Sequence, residues 1–185
     1  MNDIAAAIPK TSATVEAIYR TYEEKRKAEK PRAYLGASII GHHCDRYLWF
    51  SFRGAFVPVF PGRILRLFNT GKREESRVVR ELRDIGCQVE GADPQIEFTA
   101  IGGHFKCHPD GMVLGIPEAP KTWHLLEIKT HKKASFDKVL KEGVKVAEPM
   151  HHAQMMVGMG MSLTTRALYY SVRKETDHIF TERVR

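Results

Sequence analysis

Residues 124–133, HLLEIKTHKK, read as a buried apolar strand into which a glutamate and then a lysine have been set. Side chains on a strand alternate between its faces, so Trp123, Leu125, Glu127 and Lys129 share one side while His124, Leu126, Ile128 and Thr130 share the other. Glu127 and Lys129 therefore point together. One reading is an exposed strand face carrying an ordinary ion pair, worth less than about 1 kcal/mol when solvated. The other is a pair placed for chemistry, and the rest of the chain has to decide between them.

A core strand needs layers around it, and the order of the remaining segments supplies them. Residues 13–30 carry Val15, Ile18, Tyr19 and Tyr22 against a polar face, which predicts a surface helix stopped by Pro31. SIIGHHCDRYLWFSFRG, from Ser38, predicts a second helix entering the core through Tyr47, Leu48, Trp49 and Phe52. The proline-punctuated FVPVFPG at 56–62 leads to a third helix over 63–85, ended by Gly86. Residues 87–130 then change to short alternating segments separated by glycine and proline turns, a strand block that reads as a meander. Helices over 135–142 and 149–161 and two closing strands complete the chain. The expected architecture is α/β, a central mixed sheet flanked by helices.

The 185 residues suit a single domain with appendages, residues 1–35 forming an N-terminal helical extension and 36–185 the core. No apolar run approaches the roughly 20 residues of a membrane span, and MNDIAAAIPK lacks the basic start and apolar stretch of a signal peptide. Cys44, Cys87 and Cys107 share no CxxC spacing and fit reduced thiols, so the expected location is cytoplasmic. A formal charge of +7 suits a polyanionic partner, nucleic acid first, although a solvated basic face has the same composition.

Asp110 and Gly111, in CHPDGMV, lie at the end of the strand preceding Glu127, and a hairpin can bring the two carboxylates together. Adjacent carboxylates repel and burial raises their cost, so such a cluster is expected to bind a divalent cation, and oxygen donors suit Mg2+ or Mn2+. Glu75 sits where helical periodicity calls for an apolar residue, with Phe68, Gly71, Val78, Val79 and Leu82 on the same stripe. It either pairs with an arginine or serves the metal. Its neighbour Glu74 shares a solvated side with arginines. Lys129 beside Glu127 places an ammonium where it can orient a nucleophilic water or stabilise the charge of a pentavalent phosphorane.

At these residues the chain resembles the PD-(D/E)xK nuclease superfamily, with PDG at 109–111 and EIK at 127–129. SIIGHHCDRYLWFSF resembles the opening helix of the RecB-like branch, TGKREE its glycine-then-glutamate helix, and HHAQMM the glutamine motif that follows the ExK strand. The resemblance covers roughly residues 36–184 and is nearest to phage exonucleases related to lambda exonuclease and to CRISPR-associated nucleases of the same branch. It implies a restriction-endonuclease-like fold, with metal held by Asp110, Glu127, the Ile128 carbonyl and Glu75, and with Lys129 and Gln154 in the catalytic machinery. His108 matches a histidine often preceding the motif aspartate, in either a packing or a direct role, and His151 lies three residues before Gln154 as a substrate contact. Iron–sulfur relatives carry cysteines near the C-terminus, and none follows Cys107, so no iron–sulfur cluster is expected. The tyrosine commonly found four residues after the motif glutamine is here Gly158; Gly158 and Gly160 are expected to permit a close backbone approach, with the surrounding methionines as core filler.

Lys72, Arg73, Arg77 and Arg80 on the third helix, and Lys132, Lys133, Lys138 and Lys141 after the ExK strand, outline a DNA path. Lys132 and Lys133 fit phosphate contacts or a solvated loop equally, and Arg46 fits DNA contact or a helix cap. The function expected is a divalent-metal-dependent exonuclease hydrolysing phosphodiester bonds at DNA ends, in phage recombination or replication. An endonuclease on duplex, flap or branched DNA and a silent DNA-binding accessory protein are the alternatives. The resemblance further implies a single-strand annealing protein as partner and allows an oligomer.

Overall fold

The computed structural model describes residues 12–185; the first eleven, part of the expected N-terminal extension, lie outside it. In chain order the elements are α1 (Ala13–Ala28), β1 (Leu35–Gly36), α2 (Asp45–Phe52), α3 (Gly62–Asp84), β2 (Gln88–Glu90), β3 (Phe98–Ala100), β4 (Phe105–Cys107), β5 (Gly111–Leu114) and β6 (His124–His131). Then follow α4 (Lys133–Glu142), α5 (Val144–Ala147), α6 (Pro149–Ser162), β7 (Ala167–Arg173) and β8 (Ile179–Val184).

β6 is the middle strand of a five-stranded sheet ordered β2–β5–β6–β7–β8. It pairs antiparallel with β5, Gly111 opposite Leu126, and parallel with β7, Glu127 opposite Tyr169, so the sheet is mixed as expected. Its two faces feed separate cores. Leu126 and Ile128 pack with Val78, Val79 and Leu82 of α3, whereas Leu125 packs with Met155 and Met159 of α6 and with Tyr169 of β7. Each face is thus covered by a helix, which is why the strand is apolar on both.

The expected single meander is corrected by the pairing. β3 and β4 form a hairpin in a separate sheet of order β1–β4–β3, and only β2, β5 and β6 join the main one. Pro109 divides what read as one strand, HFKCHPDGMVLG, into β4 and β5, because proline cannot donate to a ladder. The second helix also differs. Ala37–Ile39 form a 3-10 turn, and α2 begins only at Asp45 and contains no buried residue, with Trp49 58% exposed. Its aromatic side chains pair with one another and with loop residues instead of entering the core: Trp49 lies 6.2 Å from Phe52, and Tyr47 5.4 Å from Phe56.

α1 is capped by Ser12 Oγ, which accepts from Val15 N at 3.3 Å, and packs across the start of α3. The crossing is close because Gly62 has no side chain: a Cβ there would lie 2.2 Å from the Tyr19 carbonyl oxygen. Glu23 Oε1 accepts from Gly62 N at 2.7 Å and ties the crossing. On α6, a Cβ at Gly158 would lie 2.7 Å from Leu125 Cδ1, as expected of a close approach. Gly160 is a correction, since a Cβ there would meet nothing within 4 Å. Met155 and Met159 are core filler.

Candidate active site

Backbone groups on β6 alternate sides as its side chains alternate faces. Leu125 N donates to Arg166 O and His131 O accepts from Lys174 N, both at 2.9 Å, so odd-numbered residues bond toward β7. Even-numbered residues face β5: Leu126 O accepts from Asp110 N at 3.0 Å, and Ile128 N donates to Asp110 Oδ2 at 2.6 Å. The β5 ladder ends at Gly111, opposite Leu126, so the Ile128 carbonyl points past the end of that strand, alongside the Asp110 carboxylate. The hairpin read from the sequence has brought Asp110 to Glu127.

Glu127 is 1% exposed, which removes the surface ion-pair reading of the ExK motif. Its Oε2 accepts from Gln154 Nε2 of α6 at 2.9 Å, and Lys129 Nζ lies 2.5 Å from Oε1. The ammonium is thus the close partner of Oε1, as the Gln154 amide is of Oε2. Burial, and then the charge of Glu127, push the Asp110 carboxyl well above the usual carboxylate range. Burial pulls Lys129 down, but the carboxylates of Glu127, Asp110 and Glu75 outweigh it and hold the ammonium above the ordinary lysine value.

A cleft of about 440 Å³ opens at this end of the sheet, with Glu75, Lys129, His131, Glu148, His151 and Lys174 on its walls. Glu75 is half-buried, and burial raises its carboxyl while Lys129 and Lys72 draw it down. No arginine lies within ion-pair distance of it among the described residues, so the arginine-pairing reading lacks its partner. Glu74 does pair with Arg77, at 2.7 Å. Among the described residues no three His, Cys, Asp or Glu side chains are grouped around one ion-sized position. The close carboxylate pair is Asp110 with Glu127, and Glu75 stands in the cleft wall within reach of their charge.

The other sequence-derived residues divide. His151 lines the cleft, its Nδ1 3.0 Å from Tyr169 Oη. His108 has a different partner: its Nε2 lies 2.9 Å from Glu97 Oε2, and Lys106 Nζ lies 2.6 Å from Glu97 Oε1. Hydrogen bonds from Lys106, Thr99 and His108 hold Glu97 down at about 2. Lys72 reaches the cleft, Arg73 bonds to Thr70 at 3.5 Å, and Arg46 and Lys132 are exposed. Lys133 pairs with Asp137 one turn along α4, at 2.5 Å. Arg77 is removed from the DNA path as a free cation, being paired with Glu74 at 2.7 Å and Asp177 at 3.0 Å.

Three cleft residues were not found from the sequence. His131 is buried, with Nε2 2.7 Å from Tyr169 Oη and Nδ1 3.9 Å from Glu148 Oε1. Lys174 follows β7 directly. Strand alternation already put His131 on the Glu127 face, and that was the available signal; Glu148 and Lys174 carried none.

The fold is shared with known nucleases. A crystal structure of the exonuclease LHK-Exo in complex with dAMP superposes with a TM-score of 0.57 and 17% identity, covering 91% of this chain and 81% of that one. A second crystal structure, of the alkaline exonuclease LHK-Exo from Laribacter hongkongensis, gives 0.57 and 17% over 89% and 81% of the two chains. SSO0001 follows with 0.54 and 13% over 94% and 77%. No family model matches the sequence, and no curated protein does. The chain therefore shares the mixed α/β fold of LHK-Exo, a central mixed sheet flanked by helices as expected.

Proposed function

We propose that this chain is a single-domain deoxyribonuclease that hydrolyses phosphodiester bonds with a divalent metal ion, acting at DNA ends. The observation that carries the reading is a close carboxylate pair, half-buried Asp110 and buried Glu127, beside Lys129, which lines a cleft that also holds Lys72 and Lys174. Two adjacent acids largely withdrawn from water are unfavourable for folding alone, and a cation is the partner that relieves them.

The donors fit Mg2+ or Mn2+. Asp110, Glu127 and the Ile128 carbonyl offer oxygen only, the donor type that hard divalent cations take. When bound there, the ion would neutralise phosphate charge and acidify a water. The chain's own residues do the rest. Gln154 holds Glu127 Oε2 and so fixes the plane of its carboxylate. Lys129 brings a positive charge to the attacked phosphate, while Lys72 and Lys174 steer the backbone into the cleft. LHK-Exo, whose fold this chain shares, is an alkaline exonuclease, which supports the choice of DNA ends over internal sites.

The test is degradation of end-labelled linear duplex beside a closed circle, with and without Mg2+, by wild type and Glu127→Ala. Metal-dependent loss of the linear DNA alone, abolished in the variant, is expected. Cutting of the circle would make the enzyme an endonuclease, and no cutting of either under Mg2+ or Mn2+ would leave a DNA-binding protein.

A further inference from the structure

Beside Glu127 lies a line of hydrogen-bonded side chains that the hydrolytic reading has not used. Tyr169 lies on β7 opposite Glu127, fully buried, with its hydroxyl between two imidazoles: His131 Nε2 at 2.7 Å and His151 Nδ1 at 3.0 Å. A phenol has one proton to give, so one histidine must receive it and the other must donate to the oxygen. Glu148 breaks the tie. Its Oε1 lies 3.9 Å from His131 Nδ1, beyond hydrogen-bond reach, but its charge favours the proton on Nδ1, toward the carboxylate, and leaves Nε2 to accept from the hydroxyl. His151 then donates through Nδ1 to the phenol oxygen, and its Nε2 is bare. With Nδ1 turned to the buried Tyr169 hydroxyl, the opposite edge of the ring, which carries Nε2, is the one left to the cleft that His151 and Lys129 line.

Both rings are held neutral. Burial first, and then nearby positive charge including Lys129, pull His131 down to about 4 and His151 to about 3, while burial raises Tyr169. A neutral, tautomerically fixed imidazole beside an ammonium is a hydrogen-bond acceptor placed where Lys129 offers only donors.

We propose that Tyr169 and His131 are positioning residues that fix the tautomer of His151, and that His151 Nε2 accepts a hydrogen bond from the water attacking the phosphodiester, orienting its lone pair at phosphorus. The proposal rests on the hydrolytic reading of the same cleft. It assigns His151 to the attacking water and not to the DNA backbone.

The experiment is steady-state kinetics of the full chain on linear duplex with Mg2+, together with DNA binding, for Tyr169→Phe, His151→Phe, His151→Gln and the Tyr169→Phe/His151→Phe double variant. Misorienting an attacking group costs about tenfold to a hundredfold in rate, so Tyr169→Phe is expected to lower kcat by that factor with KM and DNA affinity within about twofold. His151→Phe should lose at least as much. His151→Gln, whose amide oxygen can reach the Nε2 position, should recover part of the loss, and the double variant should be no worse than His151→Phe. A merely structural role for Tyr169 would not produce that rescue or that non-additivity. An unchanged kcat in Tyr169→Phe, a loss confined to KM, losses that multiply in the double variant, or no rescue by His151→Gln overturns the proposal. A wild-type chain that cleaves no DNA overturns the hydrolytic reading itself, and this one with it.

Discussion

Asp110→Asn separates what the cluster does for stability from what it does for activity. An asparagine oxygen can still accept the Ile128 N–H that Asp110 Oδ2 now takes at 2.6 Å, so the backbone at the end of β5 keeps its tie. Removing the charge ends the repulsion with Glu127, and Lys129 retains Glu127 Oε1 at 2.5 Å as its counter-ion. Because the folded-state pKa of Asp110 is raised, its stabilising contribution is complete only when the group is protonated, and it is lost as pH rises through that folded value. The advantage of D110N over wild type should therefore be absent in acid and widest in alkali. Relief of a strained functional site commonly adds about 0.5–2 kcal/mol. For a chain of 185 residues each kcal/mol moves Tm by roughly 2–4 °C. Thermal melts in EDTA at pH 5 and pH 8 should show the gap opening with pH, while cleavage falls to background. Adding Mg2+ should reverse the order, since an ion at 100 times its Kd stabilises wild type by about 2.7 kcal/mol and D110N lacks a ligand for it. If D110N melts below wild type at pH 8 in EDTA, the carboxylate is a net stabiliser, and the argument from burial and repulsion is wrong.

Three further outcomes follow from single contacts. Gln154→Ala leaves Glu127 Oε2 buried without its donor and should cost about 1–3 kcal/mol in urea unfolding, with kcat reduced, whereas a fully neutral change would mean the 2.9 Å bond carries nothing. Gly158→Ala would place a Cβ 2.7 Å from Leu125 Cδ1 and is expected to destabilise by about 1–3 kcal/mol, while Gly160→Ala, with nothing within 4 Å, should stabilise by about 0.5–1 kcal/mol; calorimetry showing the two equal would refute the packing assignment. Lys174→Ala should weaken DNA binding and flatten its salt dependence, whereas Lys133→Ala, already paired with Asp137, should change neither.

How much of this was legible depended on whether the signal was local. Glu127 and Lys129 shared a face by strand alternation alone, Asp110 followed from a hairpin, and the inward place of Glu75 from helical period. Gln154 and His151, one turn apart, both reach down onto the sheet, to Glu127 and Tyr169 respectively. Contacts that depend on the third dimension were invisible. Nothing in the sequence says that Glu97 will take His108, or that Asp177, a hundred residues away, will occupy Arg77. Tyr169 looked like one more apolar strand residue until β7 was paired in register with β6. The α2 region misled because its aromatic residues are spaced as if for a core, yet they meet each other at the surface.

The parallel pairing of β6 with β7 has a consequence for the chain as it is made. These two strands are joined by a crossover from His131 to Ala167 that contains α4, α5 and α6, so the ladder closes only after that whole stretch has left the ribosome. A nascent chain complete through Gln154 already holds every acid of the site and its lysine, but not the strand against which Glu127 is registered. Its two cores are also unfinished, since Leu168, Tyr170 and Val172 belong to one and Ala167, Tyr169 and Val184 to the other. The candidate site therefore stays unassembled until β7 has been made and can pair with β6.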